Sequence, residues 1–184
     1  DDSDGSWDTV LSEVNAKRTA DGATDRYYYG AVHTTYSSGV AGLGYIPNQP
    51  NGGFESAIGW DVIGSFPSVF AHEEGHNFGR QHSPCGNPGG PDPNYPYPGA
   101  IIGVPGWDVF ASSNNLKGSS AYVDIMSYCS PVWTSDYTYV GVLNWRSTSP
   151  IGIIVNGADV SGDGLLIWGR IENGHVTLEP AFRI

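Results

Sequence analysis

Basic side chains are scarce in this 184-residue chain: eight Lys and Arg stand against nineteen Asp and Glu, giving a formal net charge of −11 at pH 7. Nucleic acid needs clustered cations that release its counterions, and an anionic membrane surface repels a like-charged protein, so neither is an expected partner. The acidity accounts for solubility without further purpose. No run of 18 apolar residues occurs, so no segment is expected to insert into a membrane. The first residues, DDSDGSWD, do not read as a signal segment. The sequence is expected to be a mature or excised piece, monomeric, with any inhibitory propeptide or further domain lying outside it. What is present is a globule-forming mix with 39% hydrophobic residues. That length suits one domain with a small appendage, able to bury roughly 70% of its unfolded surface. The 26 glycines and 13 prolines imply many turns and long loops around limited regular structure.

The stretch with the most chemistry is residues 72–82, HEEGHNFGRQH. On a helix His72 and His76 lie about 40° apart, one turn up the same face. Two such imidazoles can hold one Zn²⁺ at roughly 2.0–2.1 Å each. Glu73 projects about 60° from His76, within reach of a water on the metal's open side, whose proton it can accept. Gly79 can take the left-handed conformation that ends a helix, after which the chain can return His82 as third ligand. Every fixed position of HExxHxxGxxH is filled.

That stretch resembles the zinc helix of the metzincin metalloendopeptidases, which also carry a methionine-containing turn beneath the metal. The chain's single methionine, Met126, sits in DIMSYC. The GHN within the motif resembles reprolysin-like and secreted bacterial mucin-cleaving members, whereas Tyr128, two after the methionine, is similar to a tyrosine of astacins and serralysins. The resemblance implies an α+β fold: a twisted mixed sheet with the active-site helix above a loop-rich lower subdomain, and a closing carboxy-terminal helix. It implies Met126 as a packing group rather than a ligand, and Tyr128 as a second ligand-proximal group able to stabilise an oxyanion. Ser130, Pro131, Val132 and Trp133 fall where metzincins wall the pocket for the residue after the scissile bond. GLGY at 42–45 is similar to the GLAY of the reprolysin rim strand, which makes Gly42, Leu43 and Gly44 substrate-binding candidates through main-chain hydrogen bonds. Cys85 and Cys129 each follow a motif by three residues, so both are expected near the metal. A disulfide there would close about 45 residues, contribute roughly 4 kcal/mol, and indicate an oxidising, extracellular setting; free thiols or zinc thiolates are the alternatives.

In chain order, Trp7, Val10, Leu11 and Val14 have helical spacing over 6–19, and 26–35, 39–47 and 54–62 read as strands, with His33 as a strand-surface histidine. Ser65 is expected to cap the zinc helix, and Phe66, Phe70 and Phe78 to form its buried stripe. Glu74 falls in that stripe and is expected to pair with a cation or hydroxyl of the last helix, Arg146 first. GNPGGPDPNYPYPG cannot be a long helix, and GWDVF at 106–110 reads as a short strand or turn. Residues 135–146 read as the closing helix, capped by Ser135, with Val140 and Leu143 inward. The pattern then turns to period two, and Glu172-Asn173-Gly174 signals a hairpin.

The division expected is therefore 1–148 for a catalytic domain and 149–184 for a small β appendage or the start of a following β domain. DVSGDG at 159–164 is similar to the start of a calcium loop, but Arg170 stands where its glutamate is required. Ca²⁺ elsewhere in the acidic loops is left open. The function implied is secreted, zinc-dependent endoproteolysis of proteins, peptides or glycoproteins, with Glu73 activating the water. The competing class is a non-catalytic binding or adhesin-like module on the same scaffold; it would be marked by a lost ligand or glutamate, and none is lost.

Overall fold

The computed structural model describes residues 6–24, 26–34 and 39–148, and beyond them only strand residues 165–166, 169–172, 175–178 and 182–183. The chain divides into two compact units, Asp1–Gly152 and Ile153–Ile184. The fold is α+β.

The first helix, α1, runs Ser6–Ala20 and buries Trp7 and Leu11. Half-buried Val10 and Val14 complete the face set by the sequence spacing. It packs on a three-stranded mixed sheet of β1 (Tyr28–Val32), β2 (Gly42–Gly44) and β3 (Ser56–Trp60), in the order β1-β3-β2. Strand β3 runs parallel to β1 and antiparallel to β2. All three strands are shorter than their apolar runs. Being central, β3 is buried from Ser56 to Gly59. Ile58 and Leu43 face α1. A buried ion pair, Arg18 to Glu55 at 2.7 Å, ties the end of α1 to the entry of β3. Arg18 also donates to the carbonyls of Arg26 and Thr24. Periodicity gave no hint of it.

Helix α2, Phe66–Asn77, covers the other sheet face. Glycines make that approach possible. A Cβ at Gly44 would lie 2.5 Å from the Glu73 carbonyl oxygen, and one at Gly42 2.7 Å from Glu73 Cγ. Strand alternation puts both glycines on the helix side and sends Leu43 to the opposite core. The buried face of α2 is His72, Glu73, Gly75, His76 and Asn77, not the phenylalanines. Phe70 is 41% exposed, while Phe66 and Phe78 are half-buried against Tyr29 and Tyr27 of the sheet margin. The expected aromatic stripe is thus a flank, because polar site residues occupy the face that meets the sheet. Ser65 precedes the helix but does not cap it through its side chain; its hydroxyl donates back to Val62 O.

The helix ends as expected, at Gly79 with φ 71°. Gly79 N–H donates to His76 O and Arg80 N–H to Gly75 O, the paired bonds of a Schellman motif. Residues 80–134 are mostly loop. They hold a 3₁₀ turn at Pro98–Ala100, the antiparallel pair β4 (Gly106–Trp107) and β5 (Leu116–Lys117), and the parallel pair β6 (Val123–Asp124) and β7 (Val132–Trp133). The last helix of this unit, α3, spans Asp136–Thr148, and Ser135 caps it by accepting from Thr138 N–H at 3.1 Å. Val140 and Leu143 are 50% and 49% exposed rather than inward. Helix α3 packs instead through Thr138, Gly141 and Trp145, the last lying on Gly79. Arg146 is exposed and forms no pair with Glu74 among the described residues.

In the second unit β8 (Leu165–Leu166) pairs with β11 (Phe182–Arg183), and β9 (Gly169–Glu172) with β10 (His175–Leu178), all antiparallel, with Glu172 opposite His175. The hairpin turn at 173–174, the 159–164 stretch and the GIIV run lie outside the described residues.

Gly79→Ala should lower stability by about 2–4 kcal/mol, because a left-handed backbone and a Trp145 ring 2.5 Å from the new Cβ both oppose it. Gly22→Ala, with φ 62° but nothing within 4 Å, should cost only about 1–2 kcal/mol. Urea midpoints of the two variants check the difference; equal losses would dismiss the ring contact.

Candidate metal centre

Three imidazoles from two chain segments converge at the foot of the cleft. Their metal-competent nitrogens all lie within 4.8 Å of one another: His72 and His76 from α2, His82 from the loop after the reversal. Each ring is fixed by its other nitrogen. His72 Nδ1 donates to Ile125 O at 2.8 Å, His76 Nδ1 to Arg80 O at 2.7 Å and His82 Nδ1 to Gly89 O at 2.5 Å. A carbonyl only accepts, so all three Nδ1 atoms carry the proton and all three Nε2 atoms present lone pairs. His76 Nε2 and His82 Nε2 face each other at 3.1 Å. Two lone pairs at that distance repel unless a proton or a cation sits between them. Burial pushes the pKa of His72 down, and that of His76 down to about 3, burial being the main cause in each. Protonation is therefore disfavoured. The donor set fits a divalent ion of borderline softness, with ring orientation imposed by backbone partners as in metal-ligating histidines.

Glu73 is 7% exposed and faces the same cleft, against Gly42 of β2. Burial raises its pKa to about 8. Glu74, one residue on, is half-buried and raised to about 7 by burial, with no hydrogen bond or ion pair among the described residues. The Tyr128 hydroxyl lies 3.3 Å from His82 Nε2, its side chain is 58% exposed, and its pKa is raised by burial and by the charge of Glu73. The cleft encloses about 500 Å³ and is lined by Gly42, Leu43, His72, Glu73, Tyr128 and Val132 among others. Strand β2 forms its edge. Leu43 pairs with Ile58 in β3, flanked by bonds from Trp60 N–H to Ala41 O and from Tyr45 N–H to Ser56 O. Antiparallel alternation then turns the N–H and C=O of Gly42 and Gly44 away from β3, towards any strand added there.

The residues after the methionine separate. Val132 and Ser130 line the cleft. Pro131, exposed and joined to Ser130 by a cis bond, does not. Trp133 turns elsewhere: its Nε1 would meet a Cβ on Gly106 at 2.1 Å, and Lys117 Nζ lies 5.5 Å from its ring. Pro131 and Trp133 are therefore not part of the cleft wall, because β7 pairs with β6 and alternates its side chains across the two faces. Cys85 and Cys129 form a disulfide with Cα atoms 5.7 Å apart. His33 is exposed and paired with Asp61 at 3.0 Å, away from the triad.

Met126 packs beneath the ligands as the resemblance implied, but motif reading missed Gly75 and Asp124, which support it there. Met126 is fully buried, and a Cβ on Gly75 would lie 2.4 Å from its sulfur. Gly75, between the two helix histidines, is what lets the methionine reach the helix. A glycine inside a helix costs about 1 kcal/mol relative to alanine, and that anomaly was the signal available. Asp124 is fully buried and its carboxylate accepts from Ser83 Oγ, Met126 N–H, Thr138 Oγ1 and Ser135 N–H at 2.8–3.0 Å. Its neighbours in sequence or bonding are Ile125, whose carbonyl holds His72, and Ser83, which follows His82. Its only sequence mark was its place two residues before the methionine.

The model of metallo-peptidase family M12, of the reprolysin type, matches residues 1–137. No curated protein and no solved structure matches the chain.

Asp124→Asn should cost about 2–4 kcal/mol, a melting temperature lower by roughly 5–15 °C, because an amide nitrogen cannot accept the bonds the carboxylate takes. Unchanged melting would show the cluster to be dispensable. Without metal, stability should depend on pH in a defined way. Between about pH 4.5 and 8 the native state holds protons on Glu73 and Glu74 that the unfolded chain has lost, so raising pH destabilises it. Between pH 6.5 and about 3 the unfolded chain protonates the histidines while buried His76 resists, so lowering pH destabilises it too. The two slopes oppose each other from 4.5 to 6.5, and stability should be flattest there and fall on both sides. Urea midpoints in chelator from pH 3 to 9 check this; a steady rise above pH 6.5 would contradict it.

Proposed function

The chain belongs to metallo-peptidase family M12, and from that membership we propose that it is a zinc endopeptidase of metzincin type, secreted, hydrolysing peptide bonds in proteins or glycoproteins. The observation that carries this reading is the convergence of three unprotonated Nε2 atoms beside a buried carboxylate that faces the same cleft. Three neutral imidazoles with an open fourth position are the ligand set of a catalytic zinc site. Zn²⁺ held by His72, His76 and His82 would supply a Lewis acid at the scissile carbonyl.

The chain's own groups account for the remaining steps. Glu73 takes a proton from the attacking water and delivers it to the leaving amine. Burial lifts its pKa to about 8, where a proton can be both accepted and returned near neutral pH. The Tyr128 hydroxyl, exposed and next to His82, donates to the oxyanion that develops on the carbonyl. Gly42 and Gly44 hold the substrate main chain as an added strand, and so accept many sequences. Val132 and Ser130 bound the pocket beside it. Met126 packs beneath the ligands in the manner of a metzincin methionine turn. We assign the peptidase to residues 1–148, with the strands after it as an appendage or the start of a following β domain. The Cys85–Cys129 disulfide favours an oxidising, extracellular setting.

Glu73→Ala should retain the metal and lose cleavage by on the order of 10²–10⁴-fold. Peptide-library digestion with and without chelator, beside metal content of the purified variant, measures both. Substantial proteolysis by Glu73→Ala, or by the chelated wild-type protein, would remove the basis of the assignment.

A further inference from the structure

A second cavity, about 680 Å³, lies between α3 and the turn at 48–50 and shares no lining residue with the cleft. Among the described residues Arg80 is the only cation in its wall. Its Nε is buried with no hydrogen-bond partner, and no described carboxylate forms an ion pair with its guanidinium. A guanidinium stays charged at any working pH and has five donors and no acceptor. Nε is shut off from the cavity, so the donors that an acceptor there can reach are the two Nη groups, which have no hydrogen-bond partner among the described residues either. The neighbouring helix is shaped around it. A Cβ at Gly141 would lie 2.0 Å from Arg80 Nη1 and 2.5 Å from Cζ. A glycine inside α3 weakens that helix, and what it provides is room for this head group.

The other polar groups of the cavity divide in two. Tyr97 and Tyr137 hydroxyls are committed to Asp136 and Asp92. Asp136, the one carboxylate among the described residues of the wall, already accepts from Tyr97 and from the Tyr137 amide. The side-chain amides of Asn48, Gln49 and Asn144 line the cavity with no partner among the described residues. The free set is thus one planar cation with amides that both donate and accept. We propose that this cavity is a second binding site, for a carboxylate carried on a peptide, with Arg80 as its anchor. A planar monoanion matches the guanidinium fork. A doubly charged phosphate would meet Asp136 and a protein of net charge −11 with a single cation to offset them. The amides match main-chain N–H and C=O groups on either side of the acidic residue.

Fluorescence anisotropy of labelled, end-blocked pentapeptides with a central Glu or Gln tests the proposal on the whole chain carrying Glu73→Ala, which prevents loss of the probe to cleavage. The Glu peptide should bind at least about tenfold more tightly than the Gln peptide, and higher salt should weaken it. Arg80→Gln should bring the two peptides within about twofold of each other. Gly141→Ala, which displaces the guanidinium without removing it, should also reduce the preference and serves if Arg80→Gln fails to fold. Equal affinity for Glu and Gln peptides, or a preference that survives both variants, would overturn the proposal. So would a site that takes glucuronate while ignoring the Glu peptide. Binding is read apart from proteolysis, so failure here leaves the peptidase reading intact, and the reverse holds as well.

Discussion

A neutral imidazole has one proton and two nitrogens, and the centre of this protein depends on where that proton is kept. Three backbone carbonyls, of Ile125, Arg80 and Gly89, hold it on Nδ1 of His72, His76 and His82. Every Nε2 is thereby left bare and turned inward. No single element could arrange this. The carbonyls come from the methionine segment, the reversal after α2 and the loop beyond it, so the rest of the fold amounts to keeping three irregular segments in register with one helix.

Two kinds of bond perform that task. The Asp124 carboxylate gathers donors from the residue after His82, from the methionine segment and from the start of α3. The Cys85–Cys129 disulfide then closes the same two loops covalently, and Tyr128 N–H donates to Cys85 O beside it. A buried carboxylate with four donors is stable where one with none is not. Glu74 is the contrast: half-buried and without a partner among the described residues, it has its ionised form disfavoured.

Close approach is the second requirement, and glycine meets it wherever two backbones or a backbone and a large side chain must touch. Gly42 and Gly44 admit α2 to the sheet, Gly75 admits Met126, and Gly79 admits Trp145 while taking a left-handed turn. The same glycines serve the cleft. With no side chains, Gly42 and Gly44 leave a smooth strand edge next to Glu73, so the packing that sets the helix depth also sets the shape of the rim.

Local pattern was enough for whatever depends on neighbours along the chain. The spacing of His72, Glu73 and His76 on a helix, the turn at Gly79, the α1 face of Trp7 and Leu11, and the Ser135 cap were all legible, because each is decided within one or two turns of backbone. Pairing across the molecule was not. The phenylalanine stripe of α2 looked buried, yet polar site residues hold that face; Val140 and Leu143 looked inward, yet α3 packs through Gly141 and Trp145. Trp133 lay in the right stretch for the cleft wall, but strand alternation in β7 turned it to Gly106. Asp124 and Arg80 carried no sequence signal proportionate to their surroundings. A residue's type states what it can bond to, and only the folded chain decides which partners come within 3 Å.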